Sequence, residues 1–239
     1  MPPKPSWDLN QIVSATNAAH DLSHATMEAF LLDAIHRYFS EDFELQSHVV
    51  DVLPNIIDLV NRIESLSSPL ILDCLVKRWV KSLRDRLISP IPAILTAEKH
   101  RLKTLQGEAY YSYMLQIEST VDPENGVTTL DSDSRLGANQ FRRLLTGSWS
   151  LRAYWQRLAV SAPFSSRIPE EQRQIWEEAW LAAATSARVV AVPSCDVLGI
   201  LDVMKAVLTE RSYACKSEVM DSLETIRDHV VAHLCAHFD

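Results

Sequence analysis

Glycine is scarce in this chain: only Gly107, Gly126, Gly137, Gly147 and Gly199 occur in 239 residues. An average composition of ~7% would give roughly 17. Phosphate-cradling loops need glycine so that backbone can approach the anion, and neither GxGxxG nor GxxxxGK(S/T) is present. That argues against dinucleotide-binding and P-loop enzymes. The GxSxG nucleophile elbow and the HExxH zinc helix are also missing. Enzymes whose sites assemble from distant residues are untouched by these absences.

Other shortages narrow the class further. The four cysteines, Cys74, Cys195, Cys215 and Cys235, are scattered with no CxxC pair. Reduced, buried thiols in a reducing compartment are expected. No apolar run approaches the ~18 residues of a membrane helix. The opening MPPKPSWDLN lacks the apolar core of a signal peptide. The expectation is an intracellular protein, cytoplasmic or nuclear, without membrane attachment.

What is abundant is helical period. The hydrophobic fraction of 47% suits a packed globule. After Ser68-Pro69, which reads as a cap and first helical position, Leu72, Leu75, Val76, Trp79, Val80, Leu83 and Leu87 recur at three-and-four spacing. Comparable stretches cover 7–20, 24–39, 43–66 with a kink at Pro54, and Pro92 to Glu118. Others cover 139–160 with a break near Gly147, 169–191, 194–211 and 215–238. Arg188-Val-Val-Ala-Val192 reads as a helix end stopped by Pro193, with a short strand as the alternative. The tryptophans of WEEAW, Trp176 and Trp180, read as core or interface anchors. Tyr110, Tyr111 and Tyr113 read as boundary residues.

The fold expected is all-α, an irregular helical bundle or a short solenoid of helix pairs, with roughly eight to nine helices. It forms one domain over 1–239, with an N-terminal half (1–118) and a C-terminal half (140–239). Between them, residues 119–139 are polar, acidic and rich in turn formers, predicting a long exposed loop.

Two histidine clusters raise the question of a metal. Near the end, in HVVAHLCAHFD, His229, His233 and His237 are spaced by four. Two of them can chelate one ion, but the outer pair lies ~12 Å apart along a helix. Near the start, His20, His24 and Glu28 share the same spacing, and DxxH occurs at Asp21–His24 and Asp33–His36. In di-iron bundles, related Glu-x-x-His units face one another from different helices. His20, His24, His229 and His233 are therefore the metal-ligand candidates of a helical-bundle enzyme. The competing reading is boundary histidines beside the stripe Val219, Leu223, Ile226, Val230 and Leu234. On that reading no cofactor is expected, and no catalytic residue is assigned.

Charge is unevenly spread. The chain is acidic overall, net −8, yet residues 77–103 hold eight cations against two acids. Residues 134–169 hold six arginines and no acid, interleaved with Phe141, Trp149, Tyr154, Trp155 and Phe164. Arginine forks bind carboxylates and phosphates in pairs, and Trp, Tyr and Arg dominate interface hot spots. Lys77, Lys81 and Arg84 in the first stretch, with Arg142, Arg143, Trp149, Arg152, Trp155 and Arg157 in the second, are the candidate partner-binding residues. Internal pairing of these cations with acidic helices is the alternative.

The leading expectation is a non-catalytic helical interaction or adaptor protein, a subunit of an intracellular complex binding an acidic or phosphorylated partner. The rival is a bundle enzyme acting on a small apolar or phosphorylated molecule. A nucleic-acid binder is third, disfavoured by a sequence pI near 5.5. A homo-oligomer stays open.

Overall fold

The computed structural model describes residues 8–40, 47–63, 68–119, 135–162, 170–210 and 216–239. The described residues form helices and turns, without a strand. They divide into two compact units, 1–112 and 113–239. The expected loop falls mainly on 120–134, outside the described residues.

Unit one holds α1 (Leu9–Asp21), α2 (Ala25–Ser40), α3 (Ser47–Val50), α4 (Leu53–Arg62), α5 (Ser68–Arg84) and α6 (Ile91–His100). Helix α7 (Lys103–Ser119) begins in it and ends in unit two. Asp8 caps α1 by accepting from the Asn10 amide at 3.2 Å. Helices α1 and α2 pack as a hairpin, α2 and α4 pack on α5, and α4 meets α1 and α6. Ile35, Leu53, Ile56, Ile57, Ile71, Leu75, Trp79 and Ile94 form the core.

The buried row of α5 is Ile71, Leu75, Trp79 and Leu83, strictly four apart. Leu72 and Val76 lie at its margin, and Leu87 is 47% exposed because the helix ends at Arg84. Helix α7 corrects the reading of the tyrosines: Tyr110, Tyr111 and Tyr113 are all buried. The Tyr110 hydroxyl donates to Glu98 at 2.6 Å, which satisfies its polar end.

Unit two holds α8 (Ala138–Val160), α9 (Glu170–Ala184), α10 (Ala187–Val190), α11 (Val197–Glu210) and α12 (Lys216–His237). Helix α11 packs on α8, α9, α10 and α12, and α8 also meets α9 and α12. Leu151, Trp155, Trp180, Val197, Leu201, Met204, Leu208, Val230, Leu234 and Phe238 are buried. Trp176 and Trp180 stack edge to face with centroids 5.4 Å apart. Trp180 Nε1 donates to the Leu158 carbonyl at 2.9 Å.

The described residues contain twelve helical segments, two of them only four residues long, where eight or nine were expected. The span from Pro92 to Glu118 is two helices, parted at Arg101, which takes φ 56°. The Leu102 amide returns to the Ala97 carbonyl at 2.9 Å, a Schellman closure that needs neither glycine nor proline. Position 185–186 likewise divides 169–191 into α9 and α10, with Ser186 capping α10. Conversely, α8 runs unbroken through Gly147. Residues 187–190 are helical, which settles the alternative between helix end and strand.

Candidate functional site

Helix α8 carries four arginines and no acid along its 23 residues. At ~100° per residue, Leu144, Leu151 and Trp155 share one face, and all three are buried. On the opposite side Arg142, Leu145, Trp149, Arg152, Gln156 and Val160 fall within about 80° of arc. Leu145, Trp149 and Val160 are 68%, 73% and 78% exposed there. The stripe is ~27 Å long at ~1.5 Å per residue. Leu145 and Trp149 are neighbours on it, Arg142 precedes them, and Arg152 and Gln156 separate them from Val160.

The sequence-predicted residues separate by position on the helix. Arg142, Trp149 and Arg157 are exposed. Trp155 is buried and packs in the core. Arg152 is held in an ion pair with Glu118 at the end of α7. Burial would lower its pKa, but Glu118 and the Cys195 sulfur outweigh this and the net direction is upward. The Cys195 thiol is pushed up to about 11, chiefly by burial and further by Glu118, with Arg152 opposing. It is a protonated, buried thiol.

In unit one, Lys77 pairs with Asp73 on the same helix at 2.6 Å, both exposed. Arg84 reaches Glu108, whose side chain is only 4% exposed. Lys81 lies on the exposed side of α5. Lys99 and His100 of the first basic stretch both contact Asp58. Burial pushes the Asp58 carboxyl up, but the bonds from Lys99 and His100 dominate and hold it below its ordinary value. The internal partners are thus Asp58, Asp73, Glu108 and Glu118, none singled out in the sequence.

The histidines are placed differently from a metal constellation. His20 Nδ1 lies 2.8 Å from Glu28, across the α1–α2 turn, while His24 is exposed. His229 and His233 stack with centroids 4.2 Å apart, and His233 Nδ1 hydrogen-bonds the His229 carbonyl at 2.8 Å. Among the described residues no group of three or more His, Cys, Asp and Glu side chains is placed to hold a metal ion. His237 instead hydrogen-bonds Ser150 of α8 at 2.8 Å and meets Tyr154 edge to face. Its pKa is lowered by burial first, then by His233, Arg157 and His229.

The end of α12 meets α8 at Gly147, where Phe238 packs. Beside this crossing, Asn139, Arg142, Arg143, Thr146 and Asp239 line a cleft of about 210 Å³. A larger groove of about 380 Å³ in unit one lies between α1 and α4, lined by Asn10, Asn55 and Asp58 among others. Among the described residues no helix is long and apolar enough to cross a membrane. No family model, curated protein or solved structure matches the chain.

Proposed function

We propose that this chain is a non-catalytic helical interaction protein, an adaptor or complex subunit, and that the outer stripe of α8 docks an acidic, amphipathic helix of a protein partner. The observation carrying this reading is the stripe itself. Leu145, Trp149 and Val160 lie exposed on a helix that has no acid of its own. Exposed large apolar side chains beside charge, here Leu145 and Trp149 next to Arg142, mark interaction sites, and tryptophan with arginine is the pairing that dominates them. Charge complementarity names the occupant. Arg142 has no ion-pair partner among the described residues, and Arg157 stands exposed two turns beyond Trp149. A partner with apolar residues at three-and-four spacing and flanking Glu or Asp would satisfy both.

Trp155 anchors α8 from its buried face, while Arg152, within the stripe, is held by its ion pair to Glu118. The bundle-type packing of helices and an intracellular location belong to this same reading. A photo-crosslinking residue in place of Trp149, with a second in place of Glu177 on α9 as control, tests it in extract from the source cells. The expected result is a discrete adduct from position 149 alone. Its cross-linked peptide should be acidic and helically periodic, and R142E/R157E should abolish it. A basic or aperiodic adduct peptide, or no adduct, would overturn the reading.

A further inference from the structure

We propose that the cleft at the start of α8 is a phosphoryl-binding subsite, receiving a phosphorylated serine or threonine of the docked acidic partner. It rests on the docking reading above and goes further by assigning one chemical group to one place. Asn139, Arg142, Arg143 and Thr146 are spaced three and four apart, so they share one side of the first two turns of α8. This side adjoins the outer stripe, and Arg142 belongs to both.

Donor chemistry points to a phosphate. Two neighbouring guanidiniums, a side-chain amide and a hydroxyl line the cleft, and a guanidinium presents five N–H donors. A phosphomonoester near neutral pH carries about −1.5 to −2 charges and three strong acceptor oxygens. The cleft also contains a carboxylate, Asp239, which accepts a long 3.9 Å contact from the Cys235 thiol. This carboxylate repels any entering anion in proportion to that anion's charge, and the arginines attract it in the same proportion. The preference for a phosphate over a carboxylate therefore comes from the net positive field of the lining, which a dianion feels about twice as strongly, and Asp239 only weakens that field.

Size fits a group and not a whole ligand. About 210 Å³ is smaller than the roughly 300–1,000 Å³ of ordinary small-molecule pockets. The source of the phosphate follows from the surroundings. The chain has net charge −8, which repels a long polyanion such as RNA and an anionic bilayer surface. A short segment with one phosphate feels the local arginines more than the distant field, because screening removes the field beyond ~8 Å at physiological salt. Leu145 and Trp149, exposed one and two turns further along α8, offer apolar contact to residues flanking the phosphate.

The test uses the full 239-residue chain and the N-acetyl, methylamide derivative of O-phosphoserine, followed through the arginine Nε–Hε signals in NMR. Saturable shifts confined to Arg142, Arg143 and the Thr146 amide are expected. The R142Q variant should weaken binding about tenfold, the loss of one charge-assisted bond worth ~1.4 kcal/mol. D239N should tighten it about threefold. R142Q replaces an exposed side chain, and an unchanged far-UV spectrum establishes that it folds. Absence of saturation, equal binding of the glutamate analogue, or indifference to R142Q would overturn the subsite. Binding of inorganic phosphate but not the phosphoserine derivative would reassign it to the free ion and overturn it. So would stronger, R142Q-sensitive recruitment to phosphatidylcholine vesicles containing a phosphoinositide. An adduct at position 149 that persists when phosphoserine does not bind leaves the docking reading standing and removes only this subsite.

Discussion

Phe238 occupies the space that a side chain at position 147 would need: a Cβ built on Gly147 would fall 2.1 Å from two of its ring carbons. The ring is fully buried, one residue beyond the end of α12. Glycine is here for closeness of approach, since α8 runs through it with helical backbone. The contact draws the last turn of α12 onto α8 and thereby sets His237 beside Ser150. Substitution G147A should destabilise the protein by about 2–3 kcal/mol, in the range for overpacking a buried contact. In urea unfolding, F238L should recover part of that loss in the double variant, whereas F238L alone should destabilise. Additive effects of the two changes would show that the contact does not carry the coupling.

Three helix ends are closed by residues in the left-handed region where glycine would be usual. Ser23, Arg86 and Arg101 have φ of 56°, 55° and 56°. In each case the following amide returns five residues: His24 to Ala19, Leu87 to Ser82 and Leu102 to Ala97. A β-carbon in this conformation costs roughly 1 kcal/mol, partly offset in a glycine variant by its larger unfolded-state entropy. Variants S23G, R86G and R101G should each therefore raise stability by about 0.5–1 kcal/mol, read as a higher urea midpoint at unchanged slope. Lower midpoints would mean that the side chains at these turns contribute more than the strain removes.

These turns also explain what the sequence concealed. Neither glycine nor proline stands at 100–103 to mark a break, so two helices read as one. Most of the helix positions were legible because prolines, caps and three-and-four spacing agree, as at Ser68-Pro69 for α5 and Pro92 for α6. The burial of Tyr110, Tyr111 and Tyr113 was not legible: 105–114 is buried throughout, and a helix covered on all sides has no phase to reveal it. On α8 the signal was present. Leu144, Leu151 and Trp155 share one phase and Trp149 lies opposite, so helical phase alone distinguishes the outer tryptophan from the core one. The acids that pair with Arg84, Arg152 and Lys99 come from other helices, and pairings of that kind are invisible to local spacing.

The Arg84–Glu108 pair joins α5 to α7 inside unit one. Glu108 is almost wholly buried while Arg84 is 42% exposed. Its hydrogen bond to Glu108 is the main cause of the raised Arg84 pKa. Removing the cation strands a carboxylate away from water, which is worse than removing both charges. R84A should cost about 2–4 kcal/mol, below the full figure for a buried pair because solvent screens the exposed arginine. R84M/E108L should recover most of it. Equal losses in the single and double variants, measured by chemical denaturation, would show that packing and not charge fixes this joint.

His237 gives the C-terminal contact a pH dependence whose sign can be worked out. Burial, then His233, Arg157 and His229, lower its pKa in the folded chain from an ordinary value of 6.5. Facing it from α8 are Ser150 and Tyr154, neither of which supplies a negative charge at neutral pH. Above about 6.5 the imidazole is neutral in both states and the folded form keeps its full stability. As pH falls below that value the unfolded chain takes up the proton first, so stability declines until the folded-state pKa is passed. Thermal melts between pH 7.5 and 5 should show this decline, and H237Q should remove its share while leaving that of the other titrating groups. An unchanged slope in H237Q would assign the decline elsewhere. Loss of stability confined to below pH 4 would point to carboxylates such as Asp58, whose pKa is held down by Lys99 and His100 against its burial.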